Sequence, residues 1–399
     1  MKRILIVTCV FPPEPVTSAT LNYDLAVELG KDYEVTVVTP HPSRPKGFDF
    51  SNTKTVDSGA FNHIVVDSYI HPESSFIGRM RESVSFGNAS VRYIEKHHEE
   101  IDFVYNDGWQ LFGLYLVAKS CKKYNIPYIV PIQDIYPESL LTKLPNILGL
   151  HSIIKGLLGR FDKYYIEHAA AVRTISDGMA EYLSRTRELS RDRFLVIANW
   201  QNDDEYADWD SGCRQNNKTV FMFVGNNNKQ ANVELIIRAF EKAKMKDAEL
   251  QIMGEGNAKR DCQSLAEELK CENVVFGSVP VGDVANTQRK ADVMVLALKA
   301  GTGNQGVPSK LTSYMMSGKP VLASMEANSD AAKMILEAKA GMVTPADDVE
   351  SLASAFKIMA EKTDDTLKQM GENSRHYAEQ HLSRKSNLQL LKAKIESII

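Results

Sequence analysis

Cysteine is scarce in this sequence and shows no pairing pattern. Five cysteines stand at positions 9, 121, 213, 262 and 271, an odd number with no C-x-x-C. That excludes a disulfide framework and a zinc-ribbon spacing, and fits reduced thiols used as small core residues in a cytoplasmic protein. No metal-ligand constellation is visible, and the histidines include His97-His98 inside a charged, solvated stretch. Long apolar runs are missing as well. Met1-Lys2-Arg3 leads into Ile4-Leu5-Ile6-Val7, but the run breaks at Phe11-Pro12-Pro13, too early for a signal peptide. No window of about 20 apolar residues exists, so no spanning helix is expected. A basic excess is absent too. Lys and Arg total 47 against 51 Asp and Glu, a net charge of −4, which argues against bulk nucleic-acid binding.

What is present is an alternation of short apolar runs and helical periods. With 399 residues, two domains are expected. In the first half, strands are expected at Ile4–Val10, Glu34–Thr39, Ile64–Asp67, Phe103–Asn106, Tyr128–Pro131, Val172–Ile175 and Phe194–Ile197. Helices are expected at Leu21–Leu29, Phe76–Lys96, Leu111–Lys123, Ile153–His168 and Gly178–Ser184. Such alternation predicts a parallel sheet covered on both faces. The polar, aperiodic segment Asn199–Lys218 reads as a linker. The pattern then restarts at Thr219–Val224 and runs through strands ending with Gly341–Val343, followed by a helical tail at Leu367–Ile399. The expected architecture is α/β, with two doubly wound Rossmann-like domains facing a central cleft. Residues 1–203 with about 378–399 form the first and 204–377 the second. In open α/β sheets ligands bind at the carboxyl ends of the strands.

The most informative stretch is Gly306-Val307-Pro308-Ser309-Lys310-Leu311-Thr312-Ser313-Tyr314-Met315-Met316-Ser317-Gly318-Lys319-Pro320-Val321. It reads as loop, helix start at Ser309, tight glycine turn and strand. A helix N-terminus that also carries Lys310 suits a diphosphate, because amide donors, helix dipole and a cation converge. A capped helix with a solvated lysine is the equally weighted alternative. Asn328-Ser329-Asp330 starts another helix, with Ser329 as cap and Asp330 in the first turn. Past Tyr128–Pro131, Asp134 and Glu138 are the nearby ionisable groups. Either could orient or deprotonate a hydroxyl, or Asp134 could cap the turn and Glu138 pair with Lys143. The stretch Leu140–Arg173 carries Lys143, Lys155, Arg160, Lys163 and Arg173 against Asp162 and Glu167, with apolar pairs near helical spacing. It fits either a membrane-surface helix or a helix packed on the sheet.

These blocks resemble glycosyltransferase family 4. The stretch from Pro308 resembles the family's donor-site signature, in the form found in bacterial fucosyl- and N-acetylfucosaminyl-type transferases of capsule, O-antigen and colanic acid. Ile6-Val7-Thr8 to Phe11-Pro12-Pro13-Glu14, Gln133-Asp134-Ile135-Tyr136-Pro137-Glu138-Ser139, Ile197-Ala198-Asn199-Trp200 and Phe223-Val224-Gly225-Asn226 resemble further blocks of that branch, in order. The resemblance implies a GT-B fold with the C-terminal helix crossing back to the first domain. It implies a retaining hexosyltransferase that moves a sugar of fucose or N-acetylfucosamine type from a nucleotide diphosphate sugar, UDP favoured over GDP, without metal or other cofactor. The acceptor would be lipid-linked or a saccharide, and the protein cytoplasmic, either free or peripheral on the inner membrane face. It further implies donor contacts at Gly225, Asn226, Lys229, Gly254, Val279, Gln305, Pro308, Ser309, Lys310, Ser313, Ser329 and Asp330. Acceptor contacts would come from Glu14, Thr17, Ser18 and Gln133, and catalytic ones from Asp134, Glu138 and Lys310. The sequence departs from the family at Gln305 and Ser313, where many members carry glutamates, and at Asn226, where an arginine is common. A GT-B epimerase of UDP-sugars and a non-catalytic glycan-assembly scaffold are the competing readings.

Overall fold

A computed structural model describes the chain except residues 45–46, 51–58, 72–74, 109–110, 142–149, 208–217, 281 and 302–305. It divides into two compact units, residues 1–197 with 388–399, and residues 198–387.

The first unit is built on seven strands: β1 (Arg3–Thr8), β2 (Glu34–Thr39), β3 (Asn62–Val65), β4 (Phe103–Asp107), β5 (Tyr128–Ile132), β6 (Ala171–Thr174) and β7 (Phe194–Val196). They pair in parallel in the order β3-β2-β1-β4-β5-β6-β7. Ile4, Leu5, Ile6 and Val7 are all buried, because helices cover both faces of the sheet. The helix Thr17–Leu29 starts one turn earlier than its apolar period, which begins at Leu21. In that first turn only Ala19 faces the core, while Thr17 and Thr20 are exposed, so no hydrophobic signal marks it.

The second unit repeats the plan with β8 (Thr219–Val224), β9 (Ala248–Met253), β10 (Val274–Gly277), β11 (Val293–Ala297), β12 (Val321–Ser324) and β13 (Gly341–Thr344). Their order is β10-β9-β8-β11-β12-β13, again parallel. Strand β8 shows why two-sided burial demands a continuous apolar run. Phe221 and Phe223 enter one core, where Phe221 meets Phe356 edge-on at 4.9 Å, while Met222 and Val224 enter the other with Tyr314 and Met315.

The division falls at 197/198, six residues before the expected 203/204. Ala198 and Tyr206 pack in the core of the second unit, and Gln201 donates to Thr312 at 2.8 Å. At the other end, residues 388–399 group with the first unit. Leu391 and Ile395 are buried, Lys392 pairs with Asp32, and Tyr33 donates to Glu396 at 3.3 Å. Among the described residues no helix is long and apolar enough to cross a membrane.

Candidate functional site

In each sheet the strand order reverses beside the first strand, between β1 and β4 and between β8 and β11. Ligands of open α/β sheets lie at the carboxyl ends of the strands at such points. Most of the sequence-predicted residues fall there.

In the second unit, β8 ends on Gly225 at φ +144°, a conformation that favours glycine. A Cβ at Gly225 would come within 2.4 Å of the Lys310 Cε, so the lysine stem lies directly over this backbone. Gly254 and Gly256 end β9 with φ +135° and +155°. Their absent side chains let this turn approach Gly225 and Asn227, whose carbonyl oxygens lie 2.2 and 2.1 Å from the two ideal Cβ positions. The Asn226 side-chain oxygen rests over Gly256, while Asn226 and Lys229 are exposed. Val279 is half-buried after β10 against the second core.

The helix Ser309–Met316 is tied to the end of β8 by Tyr314. Its hydroxyl donates to the Val224 carbonyl and accepts from the Val224 amide, both at 2.8 Å. Pro308 is the N-cap, and no side chain caps the first amides. Ser309 is exposed. The Lys310 ammonium stands 5.6 Å from the Phe223 ring centroid and has no acidic partner among the described residues. Burial lowers its pKa. An unpaired, half-desolvated cation beside an uncapped helix start is arranged to accept an anion. The neighbouring helix Asp330–Glu337 differs. Ser329 accepts from the Ala332 amide at 3.2 Å and donates to the Glu326 carbonyl at 2.7 Å, and Asp330 pairs with Lys333 at 3.4 Å. Ser313 is buried, and its hydroxyl is engaged inside the protein by Tyr206 at 2.9 Å and Gln288 at 2.6 Å. Gln305 lies outside the described residues.

In the first unit, Glu14 is buried and accepts from the amides of Phe11, Ser43 and Arg44 at 2.9–3.2 Å. Burial raises its carboxyl despite these donors. It holds the 43–44 loop in place. Thr17 is exposed at the start of its helix, and Ser18 donates to Gln133 at 3.3 Å, bringing two predicted acceptor-side residues together. Asp134 is exposed just past β5.

Glu138 corrects the expectation that it acts on a hydroxyl. Arg187 grips both its oxygens at 2.9 Å, Tyr182 donates to it at 3.0 Å, and Lys155 stands 3.4 Å away. Lys143, the partner expected from sequence, lies outside the described residues. Burial alone would raise Glu138, but the Arg187 contacts outweigh it and hold the carboxyl near 2. Arg187 also meets Asp162 at 2.6 Å, and there burial prevails, raising that deeply enclosed carboxyl to about 6. A carboxylate so stabilised is a poor proton acceptor at neutral pH, and the arginine is separated from it by 49 residues, beyond any sequence motif.

Sequence reasoning passed over Asp107, the last residue of β4. Asn22 donates to its Oδ2 at 2.6 Å, and burial raises its carboxyl to about 7. The available signal was its place: an acidic residue directly after the strand at the reversal of the sheet order.

Comparison with known proteins adds the following. The family model described as Glycosyltransferase Family 4 matches residues 18–205, and that described as Glycosyl transferases group 1 matches residues 210–377. Probable glycosyltransferase WbjE of Pseudomonas aeruginosa is 26% identical over 57% of this chain and 58% of its own length. Putative colanic acid biosynthesis glycosyl transferase WcaI of Escherichia coli K12 is 23% identical over 50% of this chain and 51% of its own. The matched region thus spans little more than half of either curated relative. Among solved structures, Anabaena Alr3699/HepE in complex with UDP superposes with a TM-score of 0.70 at 13% identity, covering all of both chains.

The Glu138 network carries a pH signature. Its pKa is depressed below the ordinary 4.5, so its stabilisation is full above that value and is lost as pH falls toward about 2. Glu138→Gln should cost on the order of 2 kcal/mol at pH 7, measured by denaturant unfolding, with the gap closing below pH 4.

Proposed function

We infer that this chain is a glycosyltransferase of family 4 with the GT-B fold, acting as a retaining transferase of sugar from a nucleotide diphosphate sugar; the matches of the two glycosyltransferase family models to residues 18–205 and 210–377 support the transferase reading. The observation that carries this reading is the convergence of Gly225, Lys310 and the uncapped Ser309–Met316 helix at the reversal point of the second sheet. In bond cleavage the diphosphate gains negative charge. A preorganised cation and helix amides stabilise that charge more in the transition state than in the ground state. Lys310 supplies the cation, with Lys229 exposed on the turn after Gly225. Asn226, Gly254 and Val279 surround the nucleotide. Ser329 and Asp330 lie at a helix start already capped by protein groups, so their contribution is secondary to that of Ser309. UDP is favoured over GDP as the nucleotide, and the complex of HepE with UDP is consistent with a uridine diphosphate donor.

The first unit takes the acceptor. Ser18 and Gln133, held together, and the exposed Thr17 and Asp134 present hydroxyl, amide and carboxylate groups suited to sugar hydroxyls. The name of WcaI, a putative colanic acid biosynthesis glycosyl transferase, supports a role in bacterial polysaccharide synthesis. Fucose or N-acetylfucosamine as the sugar and a lipid-linked or saccharide acceptor rest on the sequence resemblance alone. Contact with the inner membrane face has one structural support. On the helix Leu150–Glu167, Ile153 and Leu157 are 61% and 57% exposed, one turn apart, beside Lys155 and Arg160. Such a ridge suits an anionic lipid surface.

Two outcomes follow. Lys310→Ala should lower turnover of UDP-sugars about 10²-fold or more, as loss of one preorganised charge donor does, with UDP-sugars preferred over GDP-sugars. Near-normal turnover in that variant would remove the diphosphate role. Flotation with phosphatidylglycerol vesicles should carry the wild type upward and leave Ile153→Asp with Leu157→Asp at the bottom. Equal behaviour of the two proteins would end the membrane reading.

A further inference from the structure

The carboxyl ends of β1 and β4 bear a connected set of polar side chains. Thr8 and Asp107 are register partners on the two strands. Asn22, buried on the helix Thr17–Leu29, places its amide nitrogen 2.6 Å from Asp107 Oδ2, 2.8 Å from Thr8 Oγ1 and 3.0 Å from the Ser18 carbonyl. Ser18 then donates to Gln133 at 3.3 Å. The Cys9 amide donates to the Asp107 carbonyl at 3.2 Å, which fixes the backbone beneath the carboxyl group. Asp107 keeps part of its surface in solvent, and its Oδ1 receives no hydrogen bond from any described residue.

We propose that Asp107 contacts the acceptor hydroxyl and takes its proton during transfer, an inference that rests on the transferase reading above. Four other carboxylates of this unit are committed elsewhere. Glu14 holds three backbone amides, Glu82 pairs with Arg44 at 2.6 Å, and Glu138 and Asp162 share Arg187. Asp107 has a single orienting amide and one open oxygen, at the point in the sheet where ligands gather. Its surroundings also give it a base's strength. Burial is the largest influence and raises it, while the Asn22 hydrogen bond and the cation Arg173 on β6 pull it down only in part, leaving it near 7. Among the described residues, the other titratable groups facing it are Cys9, beyond β1, and Tyr105 on β4. Burial raises both, so each stays neutral through the range in which Asp107 titrates. A general base works best when its pKa lies near the working pH.

The step balances as follows. The acceptor O–H bond breaks and the proton moves to Asp107 Oδ1. The oxygen's electron pair forms the new bond to the anomeric carbon on the face from which the diphosphate leaves, so that the configuration is retained. The bond from that carbon to the donor phosphate oxygen breaks, and its pair leaves on the diphosphate.

Asp107→Asn keeps an oxygen for Asn22 and removes the base. The experiment measures nucleoside diphosphate release from UDP-glucose, UDP-N-acetylglucosamine and GDP-fucose between pH 5 and 9, with water and octyl glucoside as acceptors. The rise in melting temperature given by free UDP and GDP is recorded for both proteins. Wild-type turnover should climb about tenfold per pH unit below 7 and level off above it. In Asp107→Asn, turnover at pH 8 should fall about 10²-fold and lose that pH limb, while the nucleotide shift stays unchanged and shows a folded donor unit. An unchanged rate and pH profile in the variant overturns the role of Asp107 and leaves the transferase reading standing. Absence of both release and nucleotide shift in the wild type overturns the transferase reading, and this inference with it.

Discussion

The second unit depends on the pair of hydrogen bonds between the Tyr314 hydroxyl and the Val224 backbone. A buried phenol that donates to a carbonyl and accepts from an amide of the same residue fixes the distance between strand β8 and the helix Ser309–Met316. With that distance fixed, the lysine four residues before Tyr314 lies across Gly225, where a Cβ would meet the lysine stem and a φ of +144° favours glycine. Gly254 and Gly256 then bring the β9 turn against the same backbone. The tyrosine, the lysine and the three glycines together bring backbone, cation and helix start close to one another, the arrangement that the proposed diphosphate site requires.

The first unit sorts its acidic residues by what surrounds them. Arginine or several backbone amides surround Glu14, Glu82, Glu138 and Asp162, and these carboxylates hold loops and helices together. A buried charge is tolerated only with such partners. Asp107 has one side-chain donor, Asn22, and burial raises its carboxyl to about 7. Residue type alone therefore does not separate a carboxylate held by several partners from one that is not.

The two-sheet plan was legible in sequence because two-sided burial writes continuous apolar runs. Glu34–Thr39 and Thr219–Val224 have the bounds that their patterns predict, and the helices Ser309–Met316 and Asp330–Glu337 start where their capping residues predict. Pro308, Ser309 and Lys310 are grouped by their spacing because they lie on one segment, whereas Gly225 ends a different strand and enters only through the family resemblance. The polar groups of the first unit come from separate segments as well. Glu138 looked free until Arg187, 49 residues away, was placed on it. Ser313 likewise meets Tyr206 and Gln288 only through the fold. Asp107 carries no motif, and its distinction is the company of Asn22, 85 residues distant. Pairings across such separations are set by tertiary packing, which no local pattern encodes.

The central claim is that a nucleoside diphosphate binds where Gly225 and Lys310 meet. Amide hydrogen exchange of the full chain with and without millimolar UDP tests it most directly, since bound phosphate slows exchange of the amides it engages. The account predicts slowed exchange at residues 225–228 and 309–311. Slowed exchange confined to the first unit, or none anywhere in the chain, would contradict it.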